Sequence, residues 1–350
     1  MKKFYSLLLV LVASWGFAQQ AYYNNINLTL EGQALKMQLG QLISTTHDRD
    51  LTYSQVWNAL KIVDLDPSNT ANVLLVYGWE NGSDSDVTND RSRPKNNNGG
   101  SNGEWNREHV YAQSVANPDL GQTGPGADAH MLRACDVQRN GTRGNRKFAS
   151  GSGNSGTVGA NWYPGDEWKG DVARIIMYMY VHYGNQCLPS NIGVGSTSGT
   201  GDGMIDLFLN WNAEDPVTQY EVNRNTYLSN VNNTYGQGNR NPFIDNPYLA
   251  TKIWGGVAAQ DIWGTLSTMP IYASTFSIYP NPSNDRRINI DSETEIEEIQ
   301  LINVNGQVMQ YIQKPTRQNK TYTIENLPSG FFFVKITAEN QSITKKVIIN

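Results

Sequence analysis

The sequence predicts an α+β protein: a strand–loop–strand–helix unit embedded in helices, followed by a small all-β sandwich. Three observations predict it. Apolar residues recur at helical spacing in two segments before residue 67 and in one after residue 169. Between them, two short strand-like runs flank the Gly/Pro-rich turn "NPDLGQTGPGAD", and a helix start follows the second run. From Ser274 onward the pattern changes to short alternating strands.

Taken in chain order, Lys2 and Lys3 precede the apolar "FYSLLLVLVASWGF", with Gly16 and Ala18 at small-residue cleavage positions. This is the pattern of a signal peptide, residues 1–18, cleaved after Ala18. Neither it nor any later segment reaches the roughly 20 apolar residues of a helical membrane span. An exported protein without a span is expected. "LEGQALKMQLGQLISTT" and "LTYSQVWNALKIVDLD" read as helices and "NVLLVYGW" as a strand. The polar run "ENGSDSDVTNDRSRPKNNNGGSNGE" reads as a long exposed loop; its Asp84, Asp86 and Asp90 lack the glycine and terminal glutamate of an EF-hand calcium loop.

Trp105–Tyr111 reads as the first strand of the central unit, "AHMLRAC" as the second, and "DVQRNGTRGNRKF" as the start of its helix. "GDVARIIMYMYVHYG" is the clearest helix, with Val172, Ile175, Ile176 and Met179 on one face and Gly184 as its stop. His182 near its end and His47 in "STTHDRDLTY" read as structural. The segment after Ser274 has turns at Asn305-Gly306 and Pro328-Ser329-Gly330 and carries no His or Cys, so chemistry is not expected there. The expected divisions are a signal peptide 1–18, a catalytic domain 19–273 and a β-sandwich 274–350.

The formal net charge is −5, which on its face argues against a polyanionic partner. The distribution reads differently: between Met131 and Ser150, Arg133, Arg139, Arg143, Arg146 and Lys147 stand against Asp136 alone. Such a run is a nucleic-acid-binding face or merely a solvated helix face. The two cysteines, Cys135 and Cys187, are candidates for one disulfide in an oxidising compartment, with two separate buried thiols as the alternative.

The chemistry-bearing residues are Glu108-His109 at the end of the first strand and Asn140 in the first turn of the helix that follows the second. A carboxylate and an amide oxygen facing each other suit a hard divalent cation such as Mg²⁺, which takes few protein ligands and completes its shell with water and substrate phosphate. His109 is then free to act as a base near neutral pH. With cationic side chains beside them, these are the parts of phosphodiester hydrolysis.

"NREHVYAQS", "GADAHMLRACDVQRNGTRGNRKF", "GDVARIIMYMYVHYG" and "GNRNPFIDNPYLA", in that order, resemble the secreted bacterial endonuclease I family, nucleases of the ββα-metal (His-Me finger) type. The resemblance implies a Mg²⁺-dependent endonuclease acting on DNA and RNA with little sequence preference, leaving 5′-phosphate and 3′-hydroxyl ends; Mn²⁺ or Ca²⁺ are alternative ions. It implies His109 as general base with Arg143 as a catalytic partner, Glu108 and Asn140 as metal ligands, and Arg107, Arg139, Asn145 and Arg146 on the substrate backbone. The position before Ala127 is often acidic in the family; here it is Gly126, so Asp128 or a backbone carbonyl is expected to orient the base. His130 is expected to pack or hydrogen-bond rather than react. The segment from Ser274, with "YPNPS" at its start and "KKVIIN" at its end, resembles the sorting domain of type IX secretion, implying that machinery as a partner and an extracellular or cell-surface location; a monomer is expected.

Two other readings use the same residues. One is a secreted surface-binding or adhesin-type protein with a non-catalytic nuclease-like domain, in which "NWYPGDEWKG" forms an aromatic ligand platform. The other is a metal-dependent phosphodiesterase of small nucleotides or lipid headgroups.

Overall fold

A computed structural model describes residues 21–264, 276–303, 307–338 and 341–350. The expected signal peptide, the expected junction at residues 273 and 274, and the Asn305-Gly306 turn lie outside the described residues. The chain divides into two compact units, with the break between Gly264 and Thr265.

The first unit opens with helices α1 (Gly32–Thr46) and α2 (Tyr53–Val63). Thr52 and Gln55 start α2 by a reciprocal capping box, which satisfies two otherwise unpaired backbone donors. A small antiparallel sheet follows, β1 (Leu65–Asp66), β2 (Asn69–Leu74) and β3 (Ser92–Pro94), in that spatial order. The strand expected over residues 72–79 starts earlier and stops at Leu74. The reason is a change of partner: the Val76 amide donates to Ala134 O at 2.8 Å, and Tyr77 turns the chain at φ 74°. The polar run after it is not wholly exposed, because it contributes β3 and the buried Arg93, whose guanidinium pairs with Asp136 at 2.7 Å. Its Asp84 and Asp86 accept local backbone amides two residues on, and Asp90 pairs with Arg93.

The central unit is β4 (Trp105–His109), a loop, β5 (Leu132–Asp136) and α3 (Val137–Arg143). β4 and β5 are antiparallel, with Trp105 opposite Asp136 and His109 opposite Leu132. A hairpin, β6 (Gly156–Val158) and β7 (Asn161–Tyr163), precedes helix α4 (Lys169–Tyr183). Next come α5 (Pro189–Ile192), α6 (Asp206–Glu214), α7 (Gln219–Leu228), α8 (Pro242–Asp245) and α9 (Tyr248–Trp254). The one-faced burial expected of α4 is corrected: every residue from Gly170 to Val181 is buried, because α1, α6 and α8 pack around it.

Polar groups anchor β5 from beneath. Asp64 accepts the Ala134 amide (2.7 Å) and the Tyr220 hydroxyl (2.8 Å) and pairs with Arg224; Arg133 pairs with Asp171 at 3.0 Å. Cys135 and Cys187 are both buried and free. Of the two readings left open, one disulfide or two separate buried thiols, the structure has the second, with β5 aiming the Cys135 thiol at Val76 O, 3.4 Å away.

The second unit comprises β8 (Phe276–Tyr279), β9 (Ile288–Ser292), β10 (Glu298–Asn303), β11 (Val308–Gln313), β12 (Thr321–Ile324), β13 (Gly330–Ala338) and β14 (Gln341–Ile349). They form two antiparallel sheets, ordered β11-β10-β13-β14 and β12-β9-β8, around an apolar core that includes Ile288, Ile290, Leu301, Val334 and Val347. The expected turn at Pro328-Ser329-Gly330 carries the chain from β12 in one sheet to β13 in the other. Among the described residues no helix is long and apolar enough to cross a membrane.

Candidate active site

Strand alternation sorts the motif's side chains, sending Asn106 and Glu108 to one face of β4 and Arg107 and His109 to the other. Helix α3 covers the first face. It is fixed there by Asp136, whose carboxylate accepts the Gln138 and Arg139 amides at 2.8 and 2.9 Å. Asn140 and Arg143, about one turn apart, then meet the strand. Asn140 Nδ2 donates to Asn106 Oδ1 (2.8 Å) and Arg107 O (3.3 Å), and Arg143 Nη1 lies 3.2 Å from Glu108 Oε1.

Glu108 is buried. Its Oε1 also accepts the Tyr77 hydroxyl at 2.9 Å, while among the described residues no hydrogen bond uses Oε2. Burial pushes this carboxyl up to about 7, against the opposing pull of Arg143 and Tyr77. Asn140 likewise commits its amide nitrogen and keeps Oδ1. One oxygen of a buried carboxylate and one amide oxygen, both hard donors that no hydrogen bond among the described residues uses, fit a Mg²⁺ ion that retains several waters.

On the opposite face, His109 Nε2 lies 2.9 Å from Gly126 O, and its ring stacks at 5.4 Å on Tyr53. A carbonyl only accepts, so Nε2 carries the hydrogen and the neutral ring keeps its lone pair on Nδ1. Burial first, then Arg107 and Arg143, hold the imidazole down at about 4, despite the Gly126 bond. Of the two groups expected beside this ring, it is a backbone carbonyl, that of Gly126, that reaches it. Arg107 lies on this side, over the rings of Tyr53 (3.5 Å) and Trp57 (4.3 Å).

Two arginines stand elsewhere than expected. Arg143 is 1% exposed and donates to His109 O (2.9 Å), Val110 O (2.8 Å) and Gly144 O (3.2 Å). Its charge faces Glu108 and the end of β4, a bracing position rather than an exposed one. Arg139 donates to Thr88 O (2.8 Å) and Ser155 Oγ (2.8 Å) and lies over Trp79, so it braces loops away from Asn140. Arg146 is half-buried against the last carbonyls of α3, and Asn145 is exposed. The aromatic platform imagined for a binding protein is absent from the surface: Trp162, Tyr163 and Trp168 are 1–3% exposed.

Sequence reasoning missed Tyr77, Asn106 and Tyr53. Asn106 was detectable, since it alternates with Glu108; Tyr77 lies 31 residues from Glu108 and gives no local signal. A further donor cluster brings atoms of His47, Asp128 and His182 within 4.8 Å of one another. His130 is buried, with Nε2 3.1 Å from Asn239 O and its ring against Tyr178.

The sequence profile of the family described as Endonuclease I matches residues 31–248, which span this whole arrangement. The chain belongs to the endonuclease I family. Residues 277–350 match the secretion system C-terminal sorting domain. An extracellular ribonuclease of Bacillus amyloliquefaciens is 44% identical over 233 residues, covering 64% of this chain and 74% of that one. An extracellular ribonuclease of Bacillus subtilis (strain 168) is 44% identical over 234 residues, covering 64% and 75%. The chain is accordingly a secreted nuclease with the ββα core of this family and a C-terminal type IX sorting domain, destined for the extracellular space or cell surface.

Proposed function

We propose that this endonuclease I family member hydrolyses the phosphodiester backbone of DNA and RNA with little sequence preference, using one Mg²⁺. The observation that carries this is the neutral His109, oriented through Nε2, next in sequence to a buried carboxylate with one oxygen free of hydrogen bonds. His109 Nδ1 takes the proton of the attacking water, and Tyr77, Asn106 and Arg143 hold Glu108 and Asn140 in position. Glu108 and Asn140 would hold the ion, which supplies a positive charge for the developing charge on phosphate. Arg107, Asn145 and Arg146 hold the substrate backbone, contacts that carry no base information. The naming of two relatives as ribonucleases supports RNA as a substrate. Mn²⁺ and Ca²⁺ are candidate replacements. Signal cleavage after Ala18, a catalytic domain ending near residue 273, engagement of the secretion machinery by residues 274–350, and a monomeric enzyme complete the reading.

Plasmid nicking tests it, with wild type and His109→Ala assayed in Mg²⁺ and in EDTA. Nicking lost in both the EDTA and the variant lanes is expected; equal nicking by folded His109→Ala would overturn the assignment.

A further inference from the structure

Gly126 O is the partner of the base, yet it lies in a loop of 22 residues between His109 and Leu132. What aims it is therefore part of the catalytic geometry. On the N-terminal side, the Gly126 amide bonds Thr123 O at 3.2 Å in a tight turn, Gly124–Ala127. A Cβ at residue 126 would run into the carbonyl of Gly121, so only glycine allows this approach. On the C-terminal side the next fixed point is Asp128, 1% exposed.

Asp128 accepts four hydrogen bonds. Oδ1 takes the His130 amide (2.8 Å) and Gln237 Nε2 (3.0 Å); Oδ2 takes the hydroxyls of Tyr178 (2.7 Å) and Tyr183 (2.9 Å). Gln237 clamps the same segment twice, because its Oε1 accepts the Ala129 amide at 2.6 Å. The neighbouring His47 and His182 bond each other at 2.9 Å. A carboxylate has about four acceptor sites. All four of Asp128's are occupied by the His130 amide, Gln237, Tyr178 and Tyr183, so the side chain acts as a tether.

We propose that Asp128, held by Tyr178 and Tyr183 of α4 and by Gln237, is the positioning residue that aims the Gly126 carbonyl at His109 and so fixes the ring. The inference rests on His109 being the base.

The experiment is a double-mutant cycle on the full chain in Mg²⁺, reading kcat and KM for DNA cleavage. Its members are wild type, Asp128→Asn, His109→Ala and the double variant, with Tyr183→Phe, alone and on His109→Ala, as a milder change that removes one of the four donors. A misplacement of about 1 Å costs on the order of 100-fold, so Asp128→Asn should lower kcat by roughly 10- to 100-fold with little change in KM. Tyr183→Phe should lower it less. In the His109→Ala background both changes should cost almost nothing further, because a missing base cannot be misaimed. An equal fold-loss in both backgrounds, a loss confined to KM, or unchanged kcat in folded variants would overturn the inference. If Asp128→Asn fails to fold cooperatively, the Tyr183→Phe pair decides alone. Full activity in His109→Ala would instead overturn the base assignment itself, a separate outcome.

Discussion

At the scale of single residues, the two faces of β4 divide the chemistry. His109 is kept neutral by burial and two nearby arginines, which is the form that accepts a proton. Removing it as His109→Ala should lower kcat on the order of 10²- to 10⁴-fold, the usual contribution of a positioned base. Glu108 is the opposite case, a carboxylate whose burial disfavours its charge. Tyr77→Phe removes the hydroxyl donated to Oε1, so the Mg²⁺ concentration for half-maximal nicking should rise about five- to tenfold, at nearly unchanged saturating kcat. An unchanged metal requirement would show that Tyr77 only packs. His130 provides a stability effect of known sign. Burial holds its folded form down at about 4, while the unfolded ring protonates near its ordinary 6.5. Above 6.5 both forms are neutral; as pH falls from 6.5 toward 4 the unfolded chain binds the proton first, so stability is lost across that window. Relative to His130→Asn, wild type should lose up to about 3 kcal/mol between these limits, read as the difference in urea unfolding free energies. Parallel pH curves for the two proteins would refute it.

At the scale of elements, Asp136 couples three of them. It ends β5, caps α3 through two amides, and neutralises the buried Arg93 of β3. Asp136→Ala removes a cap and one of the two carboxylates that face the buried Arg93, leaving only Asp90, so it should destabilise the first unit by about 3 kcal/mol, measured by urea unfolding. Asp136→Asn, which keeps an oxygen for the amides, should cost less. A loss below about 1 kcal/mol for Asp136→Ala would mean that Arg93 finds water. The strand, strand and helix that Asp136 joins were legible in the sequence because their signals are local: two short runs on either side of a Gly/Pro turn, and a helix start directly after the second. What was not legible depends on contacts distant in sequence. Tyr77 reaches Glu108 only because the chain leaves β2 to pair with β5, and α4 is buried on all sides only because helices from both ends of the unit converge on it. The burial of Arg143 and the side turn of Arg139 have the same origin. A basic run states how many charges are near, whereas packing decides which of them face solvent.

At the scale of the whole molecule, the two units have separate apolar cores. One is built from helices and small sheets of the first unit; the other lies between the two sheets of the sandwich. The assigned chemistry, from Tyr53 to Gln237, lies wholly in the first. A core that closes on itself unfolds as its own cooperative step. The full chain should therefore show two transitions in calorimetry, and a chain ending at Ala273 should show one, at the temperature of the corresponding transition in the full protein. Its kcat and metal requirement for plasmid nicking should match those of the full chain within about twofold, far less than the 10²-fold scale on which a displaced catalytic group is felt. Secretion should fail in the same truncated chain, because the sorting domain is gone. A truncated enzyme that melts several degrees lower, or that turns over tenfold more slowly while still folded, would show that the sandwich contributes to the nuclease as well as to its export.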